Sequence, residues 1–248
     1  EELLPGLCTE GADLQQDTLR RTEEDIGTRD GVRIVARMGA YYGVDWFEEH
    51  GAKYPVRVFA YKDIFTVCLD TSGESLHKRG YRLKQGLAPI TETLAAALIM
   101  QSGWREDHAF VDPMCGSGTF VIEAAMIAAN IAPGMDRAFV SEAWTNLIDK
   151  KCWYNALDEA NEAVDQTLLE TGVNRFGKKV DIQGYDINPE VIPVARENAE
   201  RAGVDKIVHL QVRDIANFSH SGKFGYILTN PPYGERIEDK RNRFCTPS

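Results

Sequence analysis

The residues best suited to carry chemistry form the run Asn230-Pro231-Pro232-Tyr233, which follows an apolar segment. The asparagine side-chain oxygen and the next backbone carbonyl can both accept hydrogen bonds from one amino group. An exocyclic amine on a nucleic-acid base is conjugated with its ring, so methyl transfer to it requires the lone pair to be aimed. Prolines stiffen the loop, and the tyrosine offers a face for a flipped base. The run therefore predicts this transfer, although Asn-Pro and Pro-Pro also mark ordinary turns.

A second candidate site is the segment DPMCGSGTF (112–120), which lies where a predicted strand ends and a helix begins. Ligands of open α/β sheets bind at the carboxyl ends of strands, and glycines there allow the backbone to approach them closely. No Gly-Lys-Ser/Thr follows, which excludes a P-loop, and the third glycine of the dinucleotide fingerprint is missing. The segment favours a cofactor loop, with a structural turn as the alternative.

Two further aspartates follow predicted strands. Asp186 ends the strand VDIQGYD and can accept hydrogen bonds from both hydroxyls of a ribose. The alternative is a helix cap, a role for which Asn188 is equally suited. Asp214 could contact an adenine amino group or be a simple loop aspartate. Asp186 follows Gly116 at much more than the usual distance of about 20 residues, so we expect residues 131–179 to be an insertion.

The elements that must position these residues alternate between strand and helix. Apolar runs predict strands at 109–112, 180–186, 207–212 and 224–230. Helical patterns separate them, among them a helical region over 142–171 and a helix that begins at Asn188 and ends at Gly203. This alternation implies parallel βαβ units and therefore an α/β fold. Earlier in the chain, alternating residues from Val56 to Ala60 and from Phe65 to Leu69 predict a hairpin. A weak helical pattern runs from Val32 to Tyr42, and residues 1–30 receive no assignment.

Composition limits the class of protein. The net charge of −10 argues against a nucleic-acid partner, but the segment 75–85 (SLHKRGYRLKQ) holds four basic residues and no acid. The five cysteines form no CxxC pair and no metal cluster with histidines, which is typical of reduced thiols in the cytoplasm. No secretory signal or membrane-spanning stretch is visible, so we expect no membrane partner.

Several motifs together identify a family resemblance. DPMCGSGTFVIEAAMIAANIAPG, GYDINPEVIPVARENAERAGV and TNPPYGER resemble motifs of THUMP-containing class I S-adenosylmethionine-dependent RNA methyltransferases, which include bacterial 23S rRNA guanine-N2 methyltransferases. LDTSGESLHKRGYR (69–82) resembles the segment that joins the THUMP module to the catalytic domain in that family. The resemblance implies a Rossmann-like class I sheet over 73–248, a partial THUMP-like module over 1–72, S-adenosylmethionine as cofactor and RNA, with ribosomal RNA favoured, as partner.

The resemblance also implies roles for individual residues. Asp112, Gly116 and Gly118 would lie near the methionine part of the cofactor, Asp186 at the ribose and Asp214 at the adenine. The full set of implied cofactor contacts is Asp112, Pro113, Gly116, Ser117, Gly118, Thr119, Asp186, Ile187 and Asp214. The implied catalytic residues are Asn230, Pro231, Pro232 and Tyr233, and the implied RNA contacts are Lys78, Arg79 and Arg82.

Two alternatives to an RNA methyltransferase stay open. The NPPY run serves adenine and guanine amines alike, which leaves a DNA adenine-N6 methyltransferase as a rival. The tail EDKRNRFCTPS (238–248) does not resemble a fifth strand, so we expect a sheet that is truncated after its fourth strand. Such a truncation favours a third interpretation, a catalytically silent fragment that binds RNA through its basic segment.

Overall fold

The computed structural model describes residues 36–45, 51–62, 64–82, 90–220, 222 and 224–232. The chain divides into two compact units: Glu1–Ser75 with Ala138–Asn155, and Leu76–Arg137 with Ala156–Ser248. The first break lies close to the predicted boundary at residue 72. In contrast, we expected 138–155 within the catalytic domain, but it belongs to the first unit. The predictions for 1–35, and hence the start of the weak helix, lie outside the described residues.

The first unit contains the predicted hairpin and a short helix over 36–42. Strands β1 (Val56–Tyr61) and β2 (Ile64–Leu69) pair antiparallel, with Val58 opposite Val67. At the open end of the hairpin, the Arg57 guanidinium pairs with Asp70 at 2.7 Å. The hairpin prediction is therefore confirmed.

The segment 138–155 joins the first unit through one aromatic anchor. Trp144 stacks on Tyr54 with ring centroids 4.9 Å apart, and its indole N–H donates to the Lys53 carbonyl at 2.6 Å. The Ser141 hydroxyl donates to the Thr71 carbonyl at 2.8 Å. These partners lie about seventy or more positions away, which a local sequence pattern does not reveal.

The remaining helices and strands alternate as predicted. The helices are α1 (Glu92–Ser102), α2 (Thr119–Ala128), α3 (Lys150–Glu162), α4 (Gln166–Thr171) and α5 (Val191–Arg201). The strands are β3 (Ala109–Asp112), β4 (Ile182–Asp186), β5 (Val208–Val212) and β6 (Gly225–Ile227), and two 3₁₀ turns cover Val140–Ala143 and Ile215–Asn217. Helix α3 crosses the division between the two units.

The sheet of the second unit has the order β5-β4-β3-β6, and its three pairings are all parallel. Asp112 lies opposite Gly184, and Asp186 lies opposite Val212. A parallel sheet whose strands alternate with helices is the Rossmann-like architecture of class I methyltransferases. The predicted fold class is confirmed for this unit.

Helix α2 is the centre of the core. Nine of its ten residues are buried, which its run of alanine and branched apolar side chains explains. It packs against α1 on one side and against β3, β4 and α5 on others. Its buried acid, Glu123, accepts a hydrogen bond from the Tyr81 hydroxyl at 3.0 Å.

Two local predictions differ from the structure. The helical region expected over 142–171 is a 3₁₀ turn followed by two separate helices. Helix α5 begins at Val191 rather than at Asn188, because the Asn188 side chain accepts from the Glu190 amide at 2.9 Å and forms a turn before the helix. Among the described residues, no helix is long and apolar enough to cross a membrane.

Candidate active site

The carboxyl ends of four parallel strands bring the predicted site residues to one edge of the sheet. Asp112 ends β3 and Asp186 ends β4, while Asp214 and Asn230 follow β5 and β6. Adjacent strands are about 4.8 Å apart, so the order Asp214, Asp186, Asp112, Asn230 spans roughly 15 Å across the sheet. This arrangement suits an extended ligand that lies across the strand ends.

The glycine-rich segment 112–119 is held as a tight turn against β4. The Cys115 amide donates to the Tyr185 carbonyl at 2.7 Å, and the Gly118 amide donates back to the Cys115 carbonyl at 2.8 Å. The Met114 amide donates to Asp112 Oδ1 at 3.1 Å. The turn therefore has its own hydrogen bonds before any ligand is considered.

Glycine serves two different purposes around this turn. Gly116 has φ +52°, and no atom lies within 4 Å of the point where a Cβ would stand, so its exposed side is open to a ligand. At Gly118, with φ +87°, a Cβ would lie 3.2 Å from the Ala195 side chain. At Gly184, a Cβ would lie 3.2 Å from the Cys115 side chain. Gly118 and Gly184 therefore permit close packing of neighbouring side chains, while Gly116 leaves room for a ligand to approach the backbone.

Asp186 braces the same turn from the end of β4. Its Oδ2 accepts from the Gly116 amide at 3.0 Å, and its Oδ1 accepts from the Asn188 amide at 2.9 Å. The side chain is half-buried rather than enclosed. The carboxylate thus fixes the turn, and it keeps further acceptor capacity because each oxygen has two lone pairs.

Asp112 is a buried carboxyl group, only 2% exposed. Burial raises its pKa to about 7, and the negative charge of Asp186 contributes in the same direction. The Thr229 hydroxyl and the Met114 amide oppose the rise. A positive group placed beside Asp112 would favour its charged form and lower its pKa again.

Asp214 and Arg213 follow β5, the strand at one end of the sheet. Asp214 Oδ1 accepts from the Ala216 amide at 2.9 Å and so caps the following 3₁₀ turn. The Arg213 amide donates to the Asp186 carbonyl at 2.9 Å, and its guanidinium lies over the Tyr185 ring at 4.5 Å. Asp214 therefore caps the 3₁₀ turn, a role that the sequence did not predict for it, and its half-buried side chain adjoins the Asp186 turn.

The segment after β6 carries the predicted catalytic run. The Leu228 amide donates to the Val111 carbonyl at 3.1 Å, which continues the pairing with β3 beyond the last strand residue. Asn230 follows two residues later and is half-buried, whereas Pro231 and Pro232 are exposed. Tyr233 lies outside the described residues.

The three basic residues predicted to contact RNA have different environments. The Arg79 side chain is 10% exposed and lies 3.6 Å from Glu123, and the Arg82 side chain is 7% exposed and lies 3.3 Å from Glu92. Lys78 is exposed. In this structure neither arginine presents its guanidinium at the surface, because each one faces a buried carboxylate.

Two further side chains hold the turn: no role was predicted for the first, Asn198, and the second, Arg82, was predicted to contact RNA instead. Asn198 on α5 is 2% exposed, and its side-chain amide donates to the Ser117 carbonyl at 3.0 Å. Arg82 donates to the Thr119 hydroxyl. The only sequence signal for Asn198 was a polar residue on the apolar face of an amphipathic helix.

Comparison with known proteins shows which family shares this sequence. Residues 79–243 match the UPF0020 family, described as RMKL-like, methyltransferase domain. The chain is 45% identical over 197 residues to the Bacillus subtilis strain 168 protein named "Putative RNA methyltransferase YpsC", covering 79% of this chain and 48% of that protein.

Two solved structures resemble the chain along nearly its whole length. SMU.472, described as a putative methyltransferase complexed with SAH, has a TM-score of 0.81 and 36% identity, covering 96% of this chain and 60% of that one. A predicted N6-adenine-specific DNA methylase from Listeria monocytogenes str. 4b F2365 has a TM-score of 0.81 and 38% identity, covering 95% and 59%. The chain therefore spans about half to three-fifths of the length of these relatives.

The fold and the strand-end site define a class I methyltransferase architecture. Since the family match covers most of the chain, the chain belongs to the RMKL-like methyltransferase domain family. The prediction of S-adenosylmethionine as cofactor is confirmed by this family and by the complex of SMU.472 with SAH.

Proposed function

We propose that this chain transfers a methyl group from S-adenosylmethionine to the exocyclic amino group of a base in RNA, specifically guanine N2 of 23S ribosomal RNA. The observation that carries the proposal is the placement of the Asn230 segment beside the glycine-rich turn, on the adjacent strands β6 and β3. The RNA part draws support from the name of YpsC. The activity, substrate and partners of the whole protein all belong to this proposal.

The residues at the strand ends fit the cofactor. S-Adenosylmethionine carries a sulfonium and an ammonium group, and Asp112 and Asp186 offer two carboxylates at neighbouring strand ends. The open side of Gly116 allows the backbone to lie against the ligand. We assign the methionine part to Asp112, Pro113 and the turn 116–119, the ribose to Asp186, and the adenine to Asp214 and the exposed Ile187.

The chain's contribution to the transfer is orientation. When bound, the cofactor supplies an electrophilic methyl group on its sulfonium sulfur. Asn230 Oδ1 and the Pro231 carbonyl accept hydrogen bonds from the two N–H groups of the amine, so that the lone pair of the nitrogen points away from these two oxygens. The N–C bond forms as the S–C bond breaks, and the surplus proton of the amine passes to water. Tyr233 stacks on the flipped base in this proposal.

We assign RNA capture to the first unit and to Lys78, which lies in the basic segment 75–85. We retain the prediction of a THUMP-like module over 1–72, and Lys78 is the exposed member of the basic trio. Arg79 and Arg82 contribute less to RNA binding than sequence suggested, because their guanidinium groups are buried. A location in the cytoplasm stays a prediction.

A second candidate is methyl transfer to adenine N6 in DNA. The relative from Listeria monocytogenes carries that activity in its name, and the Asn-Pro-Pro arrangement suits both amines. A third candidate, the silent RNA-binding fragment, requires that the cofactor residues be present but not functional.

The deciding experiment begins with calorimetric titration of S-adenosylmethionine into the chain. Transfer of a radiolabelled methyl group is then compared between a 23S ribosomal RNA transcript and duplex DNA, and the modified nucleoside is identified by mass spectrometry. N2-methylguanosine in RNA supports the proposal, and N6-methyladenine in DNA favours the second candidate. RNA binding without cofactor binding by a folded sample would leave only the silent fragment.

A further inference from the structure

The segment 76–82 contains an arginine that is buried beside the glycine-rich turn. Arg82 is 7% exposed at its side chain and pairs with Glu92 at 3.3 Å. Its Nη2 also donates to the Ile90 carbonyl at 3.2 Å and to the Thr119 hydroxyl. One guanidinium thus contacts residues at the start of both α1 and α2.

The electrostatics of this position make it unusual. The first turn of a helix carries a partial positive charge, so a cation near two helix starts is unfavourable unless a carboxylate is present. Glu92 is that carboxylate, at the first residue of α1 and only 3% exposed. A buried ion pair is seldom a net source of stability, so we look for the role of this pair in the groups that it holds in place.

Thr119 links the arginine to the turn. It is the first residue of α2, is 4% exposed, and directly follows Gly118, which adopts φ +87°. The start of α2 sets the direction of the Gly116-to-Gly118 backbone, because Gly118 is the N-terminal cap of that helix. Asn198 holds the same backbone through the Ser117 carbonyl.

We propose that Arg82 is a positioning residue for the cofactor turn, which it holds in its binding conformation through the Thr119 hydroxyl. The inference rests on the proposed S-adenosylmethionine site and deepens it. Arg82, which the sequence assigned to RNA contact, instead connects this segment to the cofactor turn, while Lys78 keeps its proposed role in RNA binding.

The test measures affinity for S-adenosylmethionine by calorimetry in wild type, in three variants and in the combination of the first two variants. Arg82→Gln with Glu92→Gln removes both charges together and avoids leaving one buried carboxylate unpaired. Thr119→Val removes the acceptor alone. Tyr81→Phe is the matched control, because it deletes a buried hydrogen bond of the same segment to Glu123, away from the turn.

We expect the charge-pair variant and Thr119→Val each to weaken binding about tenfold or more. A change of this size corresponds to the loss of one hydrogen bond from a charged donor. Combining them should weaken binding little further, since both disrupt one interaction. Tyr81→Phe should lower the melting temperature without this loss. If the charge-pair variant does not fold, Arg82→Lys takes its place in the comparison with Thr119→Val, because lysine keeps the positive charge beside Glu92 but lacks the planar set of donors that reaches Thr119.

Three results would overturn the inference. The first is wild-type affinity in Thr119→Val, and the second is fully additive losses, which would mean that Thr119 contacts the cofactor independently. The third is RNA affinity that falls in the charge-pair variant while cofactor affinity is kept, which would return Arg82 to RNA contact. Failure of the wild type itself to bind S-adenosylmethionine would instead refute the proposed function.

Discussion

The Gly116 amide donates a 3.0 Å hydrogen bond to Asp186 Oδ2, although the two residues are 70 positions apart in the chain. This bond joins the glycine-rich turn after β3 to the acid that ends β4. One carboxylate therefore both shapes the turn and faces the edge where we place the cofactor ribose. Loss of the carboxylate should affect the site in two ways.

Asp186 substitutions should separate these two effects. Asp186→Ala removes the acceptor for both backbone amides and should weaken S-adenosylmethionine binding by about ten- to a hundredfold, since hydrogen bonds to charged groups are the stronger ones. Asp186→Asn keeps one acceptor oxygen and should therefore lose less affinity for S-adenosylmethionine than Asp186→Ala does. Calorimetric titration of both variants checks the order. Equal losses in the two variants would show that the negative charge matters more than the hydrogen bonds.

Asn230→Ala should lower turnover on the order of a hundredfold while leaving cofactor affinity nearly unchanged. The physical reason is that its side-chain oxygen orients the target amine and lies beyond β6, two strands away from the ribose position at β4. Single-turnover methyl transfer measures the expected loss of turnover, and calorimetry on the same preparation measures the affinity for the cofactor. A parallel loss of cofactor affinity would give Asn230 a structural role.

The sequence predicted the sheet well, because each strand is a short apolar run bounded by turn residues. Its strand-end acids were found for the same reason, since Asp112 and Asp186 each close such a run. The precise start of α5 was missed because the side chains of Asp186 and Asn188 both bind nearby amides and delay the helix.

Long-range pairing was not predictable from the sequence. Arg79 and Arg82 lie in a basic segment that looks solvent-exposed, but their partners Glu123 and Glu92 belong to two helices later in the chain. The grouping of 138–155 with the first unit depends in the same way on Trp144 and Tyr54. A local pattern describes a residue's neighbours in sequence and contains no information about such contacts.

Asp112 should make the stability of the ligand-free protein depend on pH. Its pKa is 3.8 in the unfolded chain and about 7 in the folded one, so the folded state holds the proton longer. The group's contribution to the free energy of unfolding is full below about pH 4, falls as pH rises and is lost above about pH 7. The difference approaches roughly 4 kcal/mol.

Asp112→Asn tests this dependence, because asparagine keeps an acceptor for the Met114 amide and does not titrate. Urea unfolding at pH 5, 6, 7 and 8 should show the variant gaining on wild type as pH rises. Other titrating groups are common to both proteins and cancel in the comparison. Parallel curves across this range would contradict the assignment of the raised pKa to Asp112.

Gly184→Ala should disturb the cofactor turn through the side chain of Cys115, which the new methyl group would face. A Cβ there would lie 2.7 Å from Leu210 Cδ2 and 3.2 Å from both Cβ and Sγ of Cys115, so the side chains must move. Overpacking of this kind costs typically about 1–3 kcal/mol. Because Cys115 belongs to the turn, weaker S-adenosylmethionine binding should accompany the loss of stability seen in urea unfolding.

A second substitution identifies which contact is responsible. Leu210→Ala alone creates a cavity and should destabilise the fold, but in the Gly184→Ala background it removes the closest clash, so the two changes should be less harmful together than their sum. Recovery of stability without recovery of cofactor affinity would assign the remaining defect to the contact with Cys115. Strict additivity of both quantities would mean that the packing of β4 against Leu210 is not what Gly184 protects.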